Sequence, residues 1–245
     1  MKILGIETTG PFCSAAVLDG DDITERVSEE KLNHLRSLTP MIDELMRAGG
    51  YKLTDMDAIA VSAGPGSFTG IRIGVSTGRA LNQVSRVPLI SVPTLFAFGC
   101  SEYEANLKGT VCPLFNARRG QVYAGAYNDF CEIIPGGPYM LDEFIGMLKE
   151  SDPGRILFIG DGVDAYADKI TELCDDMDYE MKSIYQDAAG VCEMAVDMLA
   201  DPDTFGELVN LSYNELKPQY MRITEAEQRL KEGTLGKGIA GKGNG

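Results

Sequence analysis

The chain has 245 residues, with 37 acidic against 22 basic side chains and a formal net charge of −15. Binding to a nucleic-acid backbone is driven by Lys and Arg, so a chain this acidic makes a poor stand-alone RNA binder, and any role on RNA needs a partner to supply the positive surface. Hydrophobic residues make up 44%, enough to bury a core, yet no apolar run reaches the roughly 20 residues needed to cross a bilayer.

Residues 1–7 (MKILGIE) are charged too early and apolar too briefly for a signal peptide, and a cytoplasmic location is expected. Strands are expected at 2–7, 13–18 and 23–27, joined by turns at Thr9-Gly10-Pro11 and 19–22. A helix at 34–48 follows, because Leu35, Leu38, Ile42 and Leu45 recur at helical spacing. Thr39-Pro40 offers an alternative start, with Thr39 as cap and Pro40 in the first turn. Gly49-Gly50 ends the helix. Thr54 can cap a single turn, and 58–63 is a buried strand. A helix at 67–85 is stopped by Pro88, a strand occupies 89–92, and a helix runs over 94–103.

In the second half, 110–116 and 121–128 form a hairpin around Arg118-Arg119-Gly120. Residues 141–149 are helical and 155–160 a strand; helices at 163–173 and 188–199 flank a short strand near 181–185. The order of elements recurs without a visible sequence repeat. That predicts two related lobes: a first over 1–105 and a second over 106–222, whose C-terminal segment could pack back on the first. The tail at 223–245, poor in apolar residues beyond Gly233, is expected to be partly disordered.

The stretch Ala63-Gly64-Pro65-Gly66-Ser67-Phe68-Thr69-Gly70-Ile71-Arg72-Ile73-Gly74 says most about function. At 100° per residue, Gly70, Gly74, Gly78 and Leu81 share one helix face, flanked by Ile71 and Val75. Ile73, Ala80 and Val84 form a second apolar edge, with Arg72, Ser76, Arg79 and Gln83 roughly opposite the glycines. Each glycine costs about 0.8–1 kcal/mol inside a helix, so three on one face suggest another backbone close by. Spacing alone leaves open whether that backbone is internal or belongs to another molecule.

Catalytic motifs fail on context. A P-loop needs Lys-Ser or Lys-Thr after its last glycine, and Gly70 is followed by Ile71. Residues 74–78 match G-x-S-x-G, but that motif needs a strand-to-helix turn and a histidine last in chain order. Ser76 falls mid-helix and His34, the only histidine, precedes it. One histidine excludes a metal held by two imidazoles of this chain, and His34 reads as structural. Cys13, Cys100, Cys112, Cys131, Cys174 and Cys192 contain no C-x-x-C pair, so no metal site is expected and the thiols should be reduced and mostly buried. Glu7, Thr8 and Thr9 are candidate contacts to nucleotide phosphates, although an ordinary β-turn accounts for them more simply. Arg118-Arg119 could meet an anion but reads first as an exposed hairpin tip. No catalytic set emerges.

Five runs resemble the bacterial TsaB family, also called YeaZ, over about residues 1–222. They are Ile3-Leu4-Gly5-Ile6-Glu7-Thr8-Thr9; His34 with Leu38-Thr39-Pro40-Met41-Ile42-Asp43-Glu44-Leu45; residues 64–74; Ala117-Arg118-Arg119-Gly120-Gln121-Val122-Tyr123; and Pro218-Gln219-Tyr220-Met221-Arg222. The resemblance implies a two-lobed α/β fold like that of actin and the sugar kinases (ASKHA), with mixed sheets flanked by helices. It implies a non-catalytic subunit of a TsaD-containing complex that transfers threonylcarbamoyl to the tRNA adenosine next to the anticodon.

By the same resemblance, TsaD owns the metal and the paired histidines, and TsaE is an ATPase. ATP and metal are thus used by partner subunits, with no cofactor bound by this chain alone. The TsaD contact would fall on first-lobe helices, here His34, Leu35, Leu38, Ile42, Leu45, Thr69, Gly70, Ile71, Arg72, Gly74, Val75 and Gly78. A homodimer is expected when the partner is absent, tRNA is met only through the complex, and no membrane is involved. Glu7 stands where the family often has Asp, which weakens the case for nucleotide. The competing readings are a glycoprotease-like hydrolase and a sugar-kinase-like enzyme acting alone.

Overall fold

The computed structural model describes residues 1–106, 109–128 and 131–221. The first sheet comprises β1 (Lys2–Glu7), β2 (Ser14–Asp19), β3 (Asp22–Val27), β4 (Ala58–Gly64) and β5 (Leu89–Pro93), in the order β3-β2-β1-β4-β5. β1, β2 and β3 are antiparallel neighbours, while β4 and β5 run parallel to β1. β4 is buried along its whole length, as a strand covered on both faces must be, and its sequence AIAVSAG carries no charge.

One face of this sheet is covered by α1 (His34–Ala48) and α2 (Phe68–Ser85). Leu38, Met41, Ile42 and Leu45 of α1 and Ile71 and Val75 of α2 join Leu4, Ile6, Ile59 and Val61 in one core. α1 begins at His34 and carries Pro40 inside it. The start at Thr39 is not used, because Leu38 is anchored in the same buried stripe as Met41 and Leu45. α3 (Thr94–Asn106) follows β5.

The second sheet comprises β6 (Thr110–Arg118), β7 (Gln121–Asn128), β8 (Cys131–Met140), β9 (Ile156–Ile159) and β10 (Tyr179–Lys182). Its order is β10-β9-β6-β7-β8. Read from the antiparallel end, each sheet runs third, second, first, fourth, fifth strand, so the topology is duplicated. The helices repeat too: α4 (Leu141–Glu150) and α5 (Asp161–Leu173) occupy the places of α1 and α2, and α6 (Ala188–Ala200) that of α3. β8 is absent from the sequence reading because Pro135-Gly136-Gly137-Pro138 looks like a turn. It is tolerated as a strand because it lies at the sheet edge, where a missing N–H costs no ladder bond. α7 (Pro202–Phe205) was likewise not anticipated.

The last helix of each half crosses to the other half. α3 packs on β6 and β7, placing Leu95 and Phe98 with Val111, Phe115 and Tyr127. α6 packs on β1 and β2, placing Val191, Cys192 and Ala195 with Ile3, Ala16 and Ala60. After α7 the chain straps across the first lobe. Leu211 pairs with Leu89 in both directions, Ser91 N–H donates to Leu208 O, and Gln219 N–H donates to Ala63 O. The strap covers the free edge of β5, which would otherwise present unpaired backbone. No disulfide joins the six cysteines, and only Cys131 is exposed. No helix among the described residues is long and apolar enough to cross a membrane. The expected disorder beyond residue 222 lies outside the described residues.

Candidate docking face and inter-lobe cleft

α2 starts where Ser67 Oγ accepts the Gly70 N–H at 3.2 Å, a side-chain cap. The glycine strip beyond it faces inward. A Cβ on Gly70 would collide with Thr8 O, one on Gly74 with Thr8 Oγ1, and one on Gly78 would lie 2.7 Å from Val61 Cγ2. The close backbone is therefore the turn after β1, in the same chain. Thr8 Oγ1 donates to Gly70 O at 2.8 Å and fixes the approach.

This bears on the expected partner interface. His34, Leu38, Ile42, Leu45, Gly70, Ile71, Gly74, Val75 and Gly78 are buried in the first lobe's own core or against its turns, which leaves them little surface to offer a second molecule. Leu35, Thr69 and Arg72 are exposed. His34 Nε2 lies 3.0 Å from Gly10 O, and Nδ1 is buried without a partner. Burial holds its pKa below the ordinary value.

The outward side of α2 is its other apolar edge. Ile73, half-buried, and the exposed Ala80 and Val84 run along it, with Val84 79% accessible; Leu35 at the start of α1 is 78% accessible. A groove of about 420 Å³ between the two helices is lined by Leu35, Phe68, Thr69, Arg72, Ile73, Ser76 and Thr77. Its end is closed by a clamp. The Arg72 guanidinium lies 3.8 Å from the Phe68 ring centroid and donates from Nε to Tyr220 Oη at 2.8 Å, while the Phe68 and Tyr220 rings sit 4.8 Å apart. Sequence spacing found the edge at Ile73, Ala80 and Val84; it could not rank that edge above the glycines.

A second concavity, of about 570 Å³, separates the lobes. Thr9, Gly10, Lys31 and the α2 N-terminus face Asn116, Arg118 and Asp161 across it. Arg118 and Arg119 stand at the β6–β7 tip with positive φ, 66° and 57°. Lys31 Nζ sits 5.5 Å from the ring centroids of both Phe12 and Tyr185, and burial raises the Asp161 carboxyl pKa.

The three candidate phosphate contacts are not arranged for that role. Thr8 is spent on Gly70. Thr9 lines the cleft but its hydroxyl accepts from Gln186 Nε2 at 3.1 Å. Glu7 is fully buried and lines a separate small cavity. Its Oε1 accepts the Thr9 N–H, and burial pushes its pKa up to about 7 against the lowering effect of Ser62 and Thr9. Ser76, the centre of the G-x-S-x-G match, is an exposed mid-helix residue rather than a strand-to-helix turn. Among the described residues no group of three or more His, Cys, Asp or Glu is placed to hold a metal ion.

Two lobes of identical strand order, a cleft between them and exchanged helices define a duplicated, two-lobed α/β fold with mixed sheets flanked by helices. A family profile described as TsaD, tRNA N6-adenosine threonylcarbamoyltransferase, matches residues 27–156. The chain is 34% identical to the tRNA threonylcarbamoyladenosine biosynthesis protein TsaB of Bacillus subtilis over 165 residues, 65% of this chain and 71% of that protein. It is 26% identical to TsaB of Escherichia coli over 235 residues, 94% of this chain and 98% of that one. A crystal structure of a Pseudomonas aeruginosa protein, described as similar to peptidase YeaZ, superposes with a TM-score of 0.75 at 22% identity, covering 90% of this chain and 99% of that one. The chain belongs to the TsaB (YeaZ) family of tRNA threonylcarbamoyladenosine biosynthesis proteins.

Proposed function

We propose that this chain is the non-catalytic partner of a TsaD-type transferase, docked through the outward face of α1 and α2, in the transfer of threonylcarbamoyl to the tRNA adenosine next to the anticodon. The observation that carries the reading is the apolar edge formed by exposed Leu35 and Phe68 and half-buried Ile73 around one groove, with exposed Val84 farther along α2. Contiguous apolar surface of this kind marks an interaction site. The charge of −15 fits a subunit that reaches tRNA through its partners. In this reading TsaE joins the complex, ATP and metal are used by the partner subunits, the complex works in the cytoplasm, and the α1–α2 face self-associates when TsaD is absent.

The experiment is co-purification with the TsaD-type protein of the same cell, using Leu35→Glu and Ile73→Glu. Leu35 is exposed, so its variant should shift the melting temperature little, whereas Ile73 also packs on the first-lobe core and its variant should lower it modestly. Each charge lands in a desolvated contact, and affinity should fall by about 30-fold or more. The isolated chain should neither transfer threonylcarbamoyl nor bind magnesium-ATP at micromolar concentration. Unchanged binding by both variants removes the docking assignment, and turnover by the chain alone removes the subunit role.

A further inference from the structure

Three carboxylates converge where the chain returns from β10 to α6: Glu7 at the end of β1, Glu25 on β3, and Asp187 just before α6. Two of them are satisfied by the α6 N-terminus. Glu25 Oε1 accepts from Ala188 N at 2.8 Å and Ala189 N at 3.3 Å, and Asp187 Oδ1 accepts from Gly190 N at 2.9 Å. The free N–H groups of a first helical turn suit negative charge. Glu7 has no such compensation. Its Oε1 takes the Thr9 N–H, but Oε2 is buried without a partner.

A second orphan lines the same cavity. Gln186 is 7% exposed; its Nε2 donates to Thr9 Oγ1, and its Oε1 is buried without a partner. Glu7, Gln186, Ser62, Thr94 and Asp187 are polar positions lining a cavity of about 10 Å³ that other residues of α3 and α6 also line, at the lower limit for one water. Two buried acceptor oxygens without a donor thus belong to residues lining the same small cavity. Ser62 Oγ and Thr94 Oγ1 are 2.6 Å apart, Thr94 Oγ1 accepts from Gly64 N, and Ser62 also acts on Glu7, lowering its pKa.

We propose that Glu7 is held as the neutral acid, with its Oε2 proton donated to Gln186 Oε1, and that this bond is a proton-dependent latch on the segment joining the second lobe to α6. Burial and the Asp187 carboxylate at the start of α6 favour the neutral form, while Ser62 on β4 and Thr9 in the turn after β1 favour the ionised one. The Cys13 thiol, raised in part by Glu7, and the Glu25 carboxyl, raised in part by Asp187, are the other titratable groups nearby. Burial raising its pKa to about 7 is consistent with that geometry.

The sign follows from linkage. Native Glu7 keeps a proton that the unfolded chain releases near 4.5. Its contribution is fully present below pH 4.5 and is lost as pH rises to about 7, above which it is level. Over that window the folding equilibrium should fall by about 300-fold more than in Glu7→Gln, whose carboxamide donates to Gln186 at every pH. On the full-length wild-type chain, carboxyl carbon NMR should show Glu7 titrating near pH 7, with amide exchange at residues 186–190 rising above that midpoint. If Glu7→Gln does not fold, the wild-type titration still decides. A Glu7 carbon that stays ionised down to pH 5, with the Gln186 amide turned to donate to it, overturns the proposal. So does an identical pH slope in the two proteins.

Discussion

Gly70 and Thr8 act as a pair: the threonine hydroxyl donates to the glycine carbonyl, and the threonine carbonyl fills the space a side chain on residue 70 would need. One missing carbon thus seats the turn after β1 against α2. Gly70→Ala should destabilise the protein by about 1–3 kcal/mol through overpacking against rigid backbone. The measurement is a urea transition whose midpoint drops at constant slope; an unmoved midpoint would mean the turn yields freely. The same pair explains why sequence spacing located the close contact but not its owner. A glycine face records that something approaches, and the approaching backbone here comes from 62 residues earlier in the chain.

α2 presents two apolar edges and spends them differently. The glycine edge lies on β4 and the β1 turn, and the edge of Ile73, Ala80 and Val84 is left to solvent. Arg79 belongs to neither: Nε and Nη2 both donate to Leu216 O and hold the C-terminal strap on the helix. Arg79→Ala should cost about 1.5–3 kcal/mol, the range for hydrogen bonds from a charged group. Hydrogen exchange should quicken at residues 211–219 and stay unchanged in β6–β8; uniform protection would show that the strap is held by its backbone bonds alone. Element positions were legible wherever periodicity was strong, as in α1, whose ends match the reading at His34 and Ala48. β8 was not legible, since an edge strand tolerates the Pro and Gly that signal a turn elsewhere.

The molecule is a duplication whose terminal helices are exchanged, so neither half closes its own core. Without α6, the face of the first sheet bearing Ile3, Ala16, Ala58, Ala60 and Ile90 loses its cover of Ala188, Val191, Cys192 and Ala195. A fragment of residues 1–106 should therefore fail to form a cooperatively folded unit. Poor amide dispersion and a broad urea transition are the expected readouts, and a sharp two-state transition would refute the exchange as the source of cohesion. The recurring order of strands and helices was legible along the chain. The crossing of α3 and α6 was not, because each helix is apolar over most of its surface and sequence alone does not say which sheet claims it.

By itself the amino-acid sequence determined most of the elements, the recurring order, the acidic character and the family, since these rest on local periodicity, composition and shared runs such as 64–74. Only the tertiary structure decided which face of α2 is free, that Glu7 lines a small cavity apart from the cleft, and that Gln186 lines the same cavity. Those are questions of which distant segment occupies a given space. Close packing settles them between residues far apart in the chain, beyond the reach of any local pattern.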